Sequence, residues 1–381
     1  MTPHPLKILH TEAATGFGGQ EIYIYRHMLS MQAYGHHMAL LCQPGAPLSD
    51  MARAAGLPVY HINMDGLWRL LAGIRSVQQL LQRERFDVVN TTSHGDTLIA
   101  AAGARLARTR LIVRSRHLMS PIKSQLTYTR LPHRVITVSQ HVRDLLVKQG
   151  IQDTRIGVVP PIAAPAPWID HDPEQSWQRL QQIRREVRAA LGFNDDDIVV
   201  GCVAVLREAK GHRELLEAIA PLCHANPRLH LVIAGDGEPV MQHVLTRRKA
   251  LALEAQIHLL GYRYDATRLM SGFDVFALAT QKEAAGTVFL EAAQAGVPII
   301  ATRVGGVPEM LQEGSNAILV TPGNQTALTK ALHTLLTDNQ QRQCMGRAGW
   351  EWIRNNPVFS TQGHAKTTEY YYLQWLRELG R

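Results

Sequence analysis

Short apolar runs alternate along the chain with longer stretches whose apolar residues recur every three or four positions, the periods of buried strands and of one-sided helices. Leu6 to His10 reads as a strand, Gly16, Gly18 and Gly19 as a glycine-rich loop, and Gln20 to Tyr34 as a helix stopped at Gly35. Met38 to Cys42, Val59 to Ile62, Val88 to Asn90, Leu111 to Val113 and Val135 to Val138 predict further strands, each followed by helical sequence. Such alternation builds a parallel sheet covered by helices on both faces. The same grammar returns later, with strands predicted at Ile198 to Val205, Leu229 to Ala234, Ile257 to Leu260, Val275 to Ala279, Ile299 to Thr302 and Ile318 to Val320. Between the halves, Val158 to Pro173 carries five prolines, which neither a helix nor a central strand absorbs, so a boundary is expected there. The reading is α/β: two doubly wound domains, 1–165 and 174–360, facing each other across a cleft at their strands' carboxyl ends, with a helical tail at 361–381 returning to the first domain.

Composition narrows the class. At 45% apolar and 19% charged, the 381 residues are those of a globular protein too long for a single small module. Cys42, Cys202, Cys223 and Cys344 lie far apart, which excludes a disulfide framework or zinc ribbon and fits a reducing cytoplasm. No leader-like apolar stretch opens the chain and none reaches the ~18 residues of a membrane span, so neither secretion nor an integral membrane location is expected. The eighteen histidines are scattered without H-E-x-x-H, and Asp195, Asp196 and Asp197 precede a strand as a turn would, so no metal is expected.

Charge is unevenly placed. The net +8 is confined to the front of the chain, where residues 1–169 hold 18 Lys and Arg against 9 Asp and Glu. Between Asp96 and Asp144 there is no acid, yet Arg105, Arg108, Arg110, Arg114, Arg116, Lys123, Arg130 and Arg134 fall there. Such a stretch attracts phosphates or an anionic membrane surface; without zinc-finger or RNP motifs, nucleic acid is not expected.

Two constellations carry candidate chemistry. In K-E-A-A-G-T-V-F-L-E, Lys282 to Glu291, Glu283 follows a predicted strand, Gly286 opens a helix and Glu291 lies one turn inside it. The amides of Ala285, Gly286 and Thr287 then offer the helix's positive end to anionic oxygens, and the carboxylates suit sugar hydroxyls. Upstream, Arg207 and Lys210 sit between a strand and the helix carrying Leu215, Leu216 and Ile219, an arrangement matched to pyrophosphate. The bland alternatives are exposed helix acids and a pair of surface cations.

Taken in order, K-G-H-x-x-L-L from Lys210, A-G-D-G-E (Ala234 to Glu238), E-x7-E (Glu283 to Glu291) and V-G-G-V-P-E (Val304 to Glu309) resemble the nucleotide-sugar domain of the retaining GT-B glycosyltransferases of family 4. G-F-G-G-Q-E (Gly16 to Glu21), Tyr34-Gly35-His36 and R-S-R-H (Arg114 to His117) resemble that family's first domain. The resemblance implies two Rossmann-like domains and places Arg207 and Lys210 on the donor diphosphate. It assigns Glu283 and the amides of Ala285 to Thr287 to the transferred sugar and distal phosphate, and Glu291 to the ribose. Gly18 and Gly19 admit backbone to phosphates or acceptor, His117 matches the histidine facing the donor sugar, and Glu309 with Gly305-Gly306 shapes the cleft floor. Three features depart from the pattern: the close spacing of Arg207 and Lys210, the missing aromatic in Glu283-Ala284-Ala285-Gly286, and Thr92 where relatives carry histidine, with His94 a possible substitute.

The implied function is retaining, metal-independent transfer of a sugar from a nucleotide diphosphate sugar, UDP favoured, to a saccharide or lipid-linked acceptor in envelope polysaccharide or lipopolysaccharide synthesis. The expected location is cytoplasmic, with peripheral attachment to the plasma membrane's inner face through the basic domain, and no cofactor is expected. The alternatives are a nucleotide-sugar epimerase of the same fold and a non-catalytic basic protein binding membranes or nucleic acid.

Overall fold

A computed structural model describes residues 5–16, 18–64, 70–122, 124–163, 166, 168–169 and 172–380. Phe17 of the glycine-rich motif, Lys123 of the basic stretch, and Ala164, Pro165, Pro167, Asp170 and His171 of the proline-rich link lie outside the described residues. The chain forms two compact units, one of Met1–Ile162 with Pro357–Arg381, the other of Ala163–Asn356.

The first unit holds β1 (Lys7–Glu12), β2 (His37–Cys42), β3 (Val59–His61), β4 (Val88–Thr91), β5 (Leu111–Arg116), β6 (Arg134–Thr137) and β7 (Ile156–Val158). They form one parallel sheet in the order β3-β2-β1-β4-β5-β6-β7. Because side chains alternate along a strand, neighbours feed opposite cores. Ile8, Leu40, Val88, Leu111 and Val113 pack on one face with Ile24, Met28 and Met31 of the helix Gly19–Ala33. Leu9, Leu41, Val89 and Ile112 pack on the other with Val77, Leu80 and Leu81 of the helix Leu70–Glu84. The helix Thr361–Glu378 completes the first of these faces, burying Tyr372 and Trp375 among the same residues. Six of the seven strands are those the apolar pattern predicts. The seventh, β7, is three residues long with Gly157 at its centre, where a β-carbon would stand 3.0 Å from the ring of Tyr371.

The second unit repeats the plan with β8 (Ile198–Val203), β9 (Leu229–Ala234), β10 (Ile257–Leu259), β11 (Val275–Leu278), β12 (Ile299–Thr302) and β13 (Ala317–Val320). Its parallel order is β10-β9-β8-β11-β12-β13, matching the six predicted runs. In each sheet the chain leaves the first strand in one direction and later returns to its other side, so the switch points lie between β1 and β4 and between β8 and β11. Doubly wound sheets bind ligands outside the carboxyl ends of strands at such points.

Candidate active site

The loops after β8 and β11 meet at the switch point of the second unit. The Ala209 carbonyl accepts from the Gln281 amide at 2.8 Å and from the Thr280 hydroxyl at 3.0 Å. Gly211 permits the closeness: its φ is +71°, and a β-carbon there would lie 2.0 Å from the Ala279 carbonyl oxygen. It caps the helix His212–Ala225, and Lys210 projects from the short turn Glu208–Lys210 just before it.

Across this junction Lys210 Nζ meets Glu283 Oε2 at 2.5 Å, with the two side chains 24% and 15% exposed. Two residues predicted to share one ligand, 73 positions apart, are thus in contact. The Gly306 amide donates to the Glu283 carbonyl at 3.0 Å, so the V-G-G-V-P-E turn fixes the loop that carries the acid. His212 is buried beside Lys210, and its pKa is pushed down to about 4, first by burial and then by the lysine's charge, leaving a neutral imidazole. Arg207 is exposed, stands outside this ion pair and makes no side-chain ion pair of its own among the described residues.

Gly286, with φ +92°, is the N-cap of the helix Thr287–Gln294 and has no side chain to satisfy the first turn. A β-carbon there would fall 2.5 Å from the Phe289 ring. Ala285 and Gly286 are buried, Thr287 and Glu291 half-buried, and Glu291 lies on the fifth residue of this helix. The helix start therefore presents backbone N–H groups beside Glu283, a setting that favours anionic oxygens. A separate cavity of about 770 Å³, lined by Trp177, Arg184, Ala295, Gly296, Arg342 and Arg347, lies at the other end of this helix and includes neither Lys210 nor Glu283.

In the first unit, Gly18 and Gly19 open the helix Gly19–Ala33. A β-carbon on Gly18 would come no nearer than 3.6 Å to another atom and one on Gly19 would meet nothing within 4 Å, so internal packing does not demand either glycine. His117 follows β5, its ring 4.4 Å from that of Tyr23, and burial followed by the charges of His10 and Arg116 lowers its pKa to about 3. It is a neutral imidazole whose Nε2 has no hydrogen-bond partner among the described residues.

Sequence reasoning missed the residues around it. His10 places Nε2 2.9 Å from the hydroxyl of Thr92, so β1 supplies an imidazole at that corner. His27 Nδ1 lies 2.9 Å from His364 Nε2, and His364 Nδ1 donates to the Pro160 carbonyl at 2.9 Å. Glu12, ending β1, is fully buried and accepts from the Ala14 amide at 2.8 Å and Gln20 Nε2 at 2.7 Å. Burial, then the nearby Asp96 carboxylate, pushes its pKa up to about 7. Asp96 accepts from Thr11, Ser93 and the Thr92 amide. No spacing rule joins His10, Glu12, Thr92 and Asp96; adjacency of β1 and β4 at the switch point does.

The basic stretch is not one solvated face. Arg114 and Arg116 are buried and Arg134 pairs with Glu378, while Arg105, Arg108, Arg110 and Arg130 are exposed, Arg105 donating to the Arg130 and Leu131 carbonyls and Arg110 pairing with Asp87. Among the described residues no helix is long and apolar enough to cross a membrane, and no group of three His, Cys, Asp or Glu is placed to hold a metal.

Two doubly wound units, the second with its lysine and glutamate joined at the switch point, define the GT-B class of glycosyltransferase folds. Residues 17–164 match the model described as Glycosyltransferase Family 4 and residues 183–352 that described as Glycosyl transferases group 1, and the chain belongs to this family. A segment is 29% identical over 174 residues to N-acetyl-alpha-D-glucosaminyl L-malate synthase of Bacillus anthracis, covering 46% of this chain and 44% of that one. Another is 31% identical over 221 residues to D-inositol 3-phosphate glycosyltransferase of Corynebacterium jeikeium, covering 56% and 51%. A third is 28% identical over 166 residues to the lipopolysaccharide core biosynthesis glycosyltransferase LpsE of Rhizobium meliloti, covering 44% and 47%. The chain thus spans about half the length of the curated relatives it matches. Its fold is that of Anabaena HepE, solved with UDP and glucose, at TM-score 0.81 and 20% identity over 96% of this chain and 99% of that one. A Rickettsia africae glycosyltransferase aligns at TM-score 0.85 and 18% identity over 98% and 99%.

Proposed function

We propose that this protein transfers a sugar, with retention and without a metal, from a nucleotide diphosphate sugar to a saccharide or lipid-linked acceptor. The contact that carries this reading is Lys210 Nζ on Glu283 Oε2 at 2.5 Å, beside the uncapped start of the helix Thr287–Gln294. As the glycosidic bond to phosphate breaks, positive charge develops on the sugar ring and negative charge on the departing diphosphate. Lys210 opposes the second charge, aided by the amides of Ala285, Gly286 and Thr287, and Arg207 reaches the diphosphate from solvent. Donor binding releases the lysine from its resting partner, and Glu283 then accepts hydrogen bonds from sugar hydroxyls while Glu291 takes the ribose.

In the first unit Gly18 and Gly19 leave room for close approach of a ligand, and His117, kept neutral by burial, contacts the transferred sugar. UDP is favoured because Anabaena HepE was solved with UDP and with UDP-glucose. Envelope polysaccharide or lipopolysaccharide synthesis at the inner face of the plasma membrane is the setting, in line with the name of the Rhizobium relative. Calorimetric titration and thermal melting with UDP, GDP and their sugars test the donor assignment. UDP should raise the melting temperature of the wild type and not that of Lys210→Ala, since only ligands binding the folded state stabilise it. Absence of binding to either nucleotide would refute the reading.

A further inference from the structure

Two cations near the end of β5 play no part in the donor chemistry above. Alternation along the strand puts Arg114 and Arg116 on one face of it, and they are only 3% and 9% exposed. One aromatic ring serves both: the Tyr128 centroid lies 3.9 Å from the Arg114 guanidinium carbon and 5.7 Å from that of Arg116. Their bonds are to neutral groups. Arg114 Nη1 donates to the Thr127 carbonyl at 3.1 Å, and Arg116 Nη2 to the Ser120 carbonyl and, at 3.1 Å, to its hydroxyl.

Nε of both arginines and the Tyr128 hydroxyl are buried without a hydrogen-bond partner among the described residues. No carboxylate of the described residues forms an ion pair with either guanidinium. Asp96 acts on Arg114 electrostatically, but its oxygens are already taken by Thr11, Thr92 and Ser93. Burial accordingly holds Arg114 below the ordinary arginine range. Buried charges are normally compensated by a counter-charge, and here the described residues supply none in contact. The turn after Arg116 is open: Leu118 and Ser120 are exposed and His117 half-buried.

We propose that Arg114, Arg116 and the Tyr128 hydroxyl bind a phosphate group carried by the acceptor, which makes the acceptor a phosphorylated saccharide, free or lipid-linked. The inference rests on the glycosyltransferase reading for the word acceptor, and on the geometry alone for the anion. Two guanidinium forks and a phenol gathered around one ring offer several N–H and O–H donors, which suits a tetrahedral oxyanion. An entering phosphate oxygen would replace the carbonyl and hydroxyl of Ser120 on Arg116.

The test is calorimetric titration of inorganic phosphate into the full chain saturated with UDP, repeated with Lys210→Ala, so that the nucleotide site does not contribute. Phosphate should bind in both, and Arg116→Gln should weaken it by about tenfold or more, with Arg116→Lys intermediate. Tyr128→Phe, which removes one oxygen and keeps the ring, should weaken it several-fold and serves if the arginine variant does not fold. Competition by glucose 6-phosphate identifies a free sugar phosphate as the source. Flotation on phosphatidylglycerol vesicles that is lost in Arg116→Gln identifies a lipid-linked one. Phosphate binding that is absent from the UDP-saturated wild type, or equal in Arg116→Gln and Tyr128→Phe, overturns the inference and leaves the donor assignment intact. Phosphate binding without UDP binding removes the donor assignment and leaves this anion site.

Discussion

Replacing Lys210 by alanine separates what the lysine does for the fold from what it does for the reaction. In the resting protein its partner is Glu283 at 2.5 Å, with both side chains about three-quarters or more buried. That places the pair between an exposed ion pair, worth under about 1 kcal/mol, and a buried one, whose rupture costs about 3–5 kcal/mol. A loss of about 1–2 kcal/mol is expected, lowering the melting temperature of a unit of roughly 200 residues by about 2–8 °C. The effect on turnover should be larger. One preorganised donor facing charge that develops in the transition state is worth about 10²–10³ in rate, or about 3–4 kcal/mol, so kcat/KM should fall by that factor while the protein stays folded at room temperature. Glu283→Gln in the same background closes a double-mutant cycle, and residues in contact should couple by about 0.5 kcal/mol or more. The assay is initial-rate release of nucleoside diphosphate, with circular dichroism on the same samples. Folded Lys210→Ala turning over within about threefold of wild type would show that the leaving diphosphate is held elsewhere.

Gly211→Ala should destabilise the second unit by at least about 2 kcal/mol in urea titration, because the residue is in the left-handed region and its β-carbon meets a main-chain carbonyl. The first unit should lose stability on acidification. His10 and His117 are held down to about 3 and His364 to about 4 by burial, against an ordinary value of 6.5, so the unfolded chain takes up protons first and stability drains away as pH falls from about 6.5 towards 4. His364→Gln should flatten that limb in hydrogen-exchange measurements between pH 4 and 7, at roughly constant stability above it. Glu12 has the opposite sign: with its pKa raised from 4.5 to about 7, its contribution is present at low pH and lost as pH rises through that interval, and Glu12→Gln should abolish the loss. On the proposed reading Lys210 takes the role a divalent cation has in other transferases, so turnover should survive EDTA; loss of activity restored by Mg²⁺ would refute this.

Most of the architecture was legible because parallel strands buried on both faces are continuous apolar runs. Ile299–Thr302 and Leu229–Ala234 coincide with their apolar stretches to the residue. Where polarity enters a buried strand the pattern fails. Leu111 to Val113 was readable, but the strand runs on through Arg114, Ser115 and Arg116, whose side chains resemble a loop until Tyr128 and neighbouring oxygens are in place. The Lys210 and Glu283 encounter followed from motif order, since both stand just beyond strands that the topology makes neighbours. The histidine cluster did not, because His27 and His364 are 337 positions apart and only the docking of the last helix joins them. Glu12 and Asp96 were likewise invisible: each is a lone acid among small and polar residues, and only the pairing of β1 with β4 makes them a couple.

The first unit is interrupted in sequence, and this sets an order of events during synthesis. The helix that shields Met28 and Val113 with Tyr372 and Trp375 is made only after all of Ala163–Asn356. At about 5–20 residues per second, the nascent sheet waits roughly 10–40 s with that apolar stripe uncovered. A chain broken off anywhere in the second unit therefore releases a first unit that cannot close, an exposed surface that chaperones and proteases can recognise. Production of a closed first unit is thus coupled to completion of the last helix of the chain.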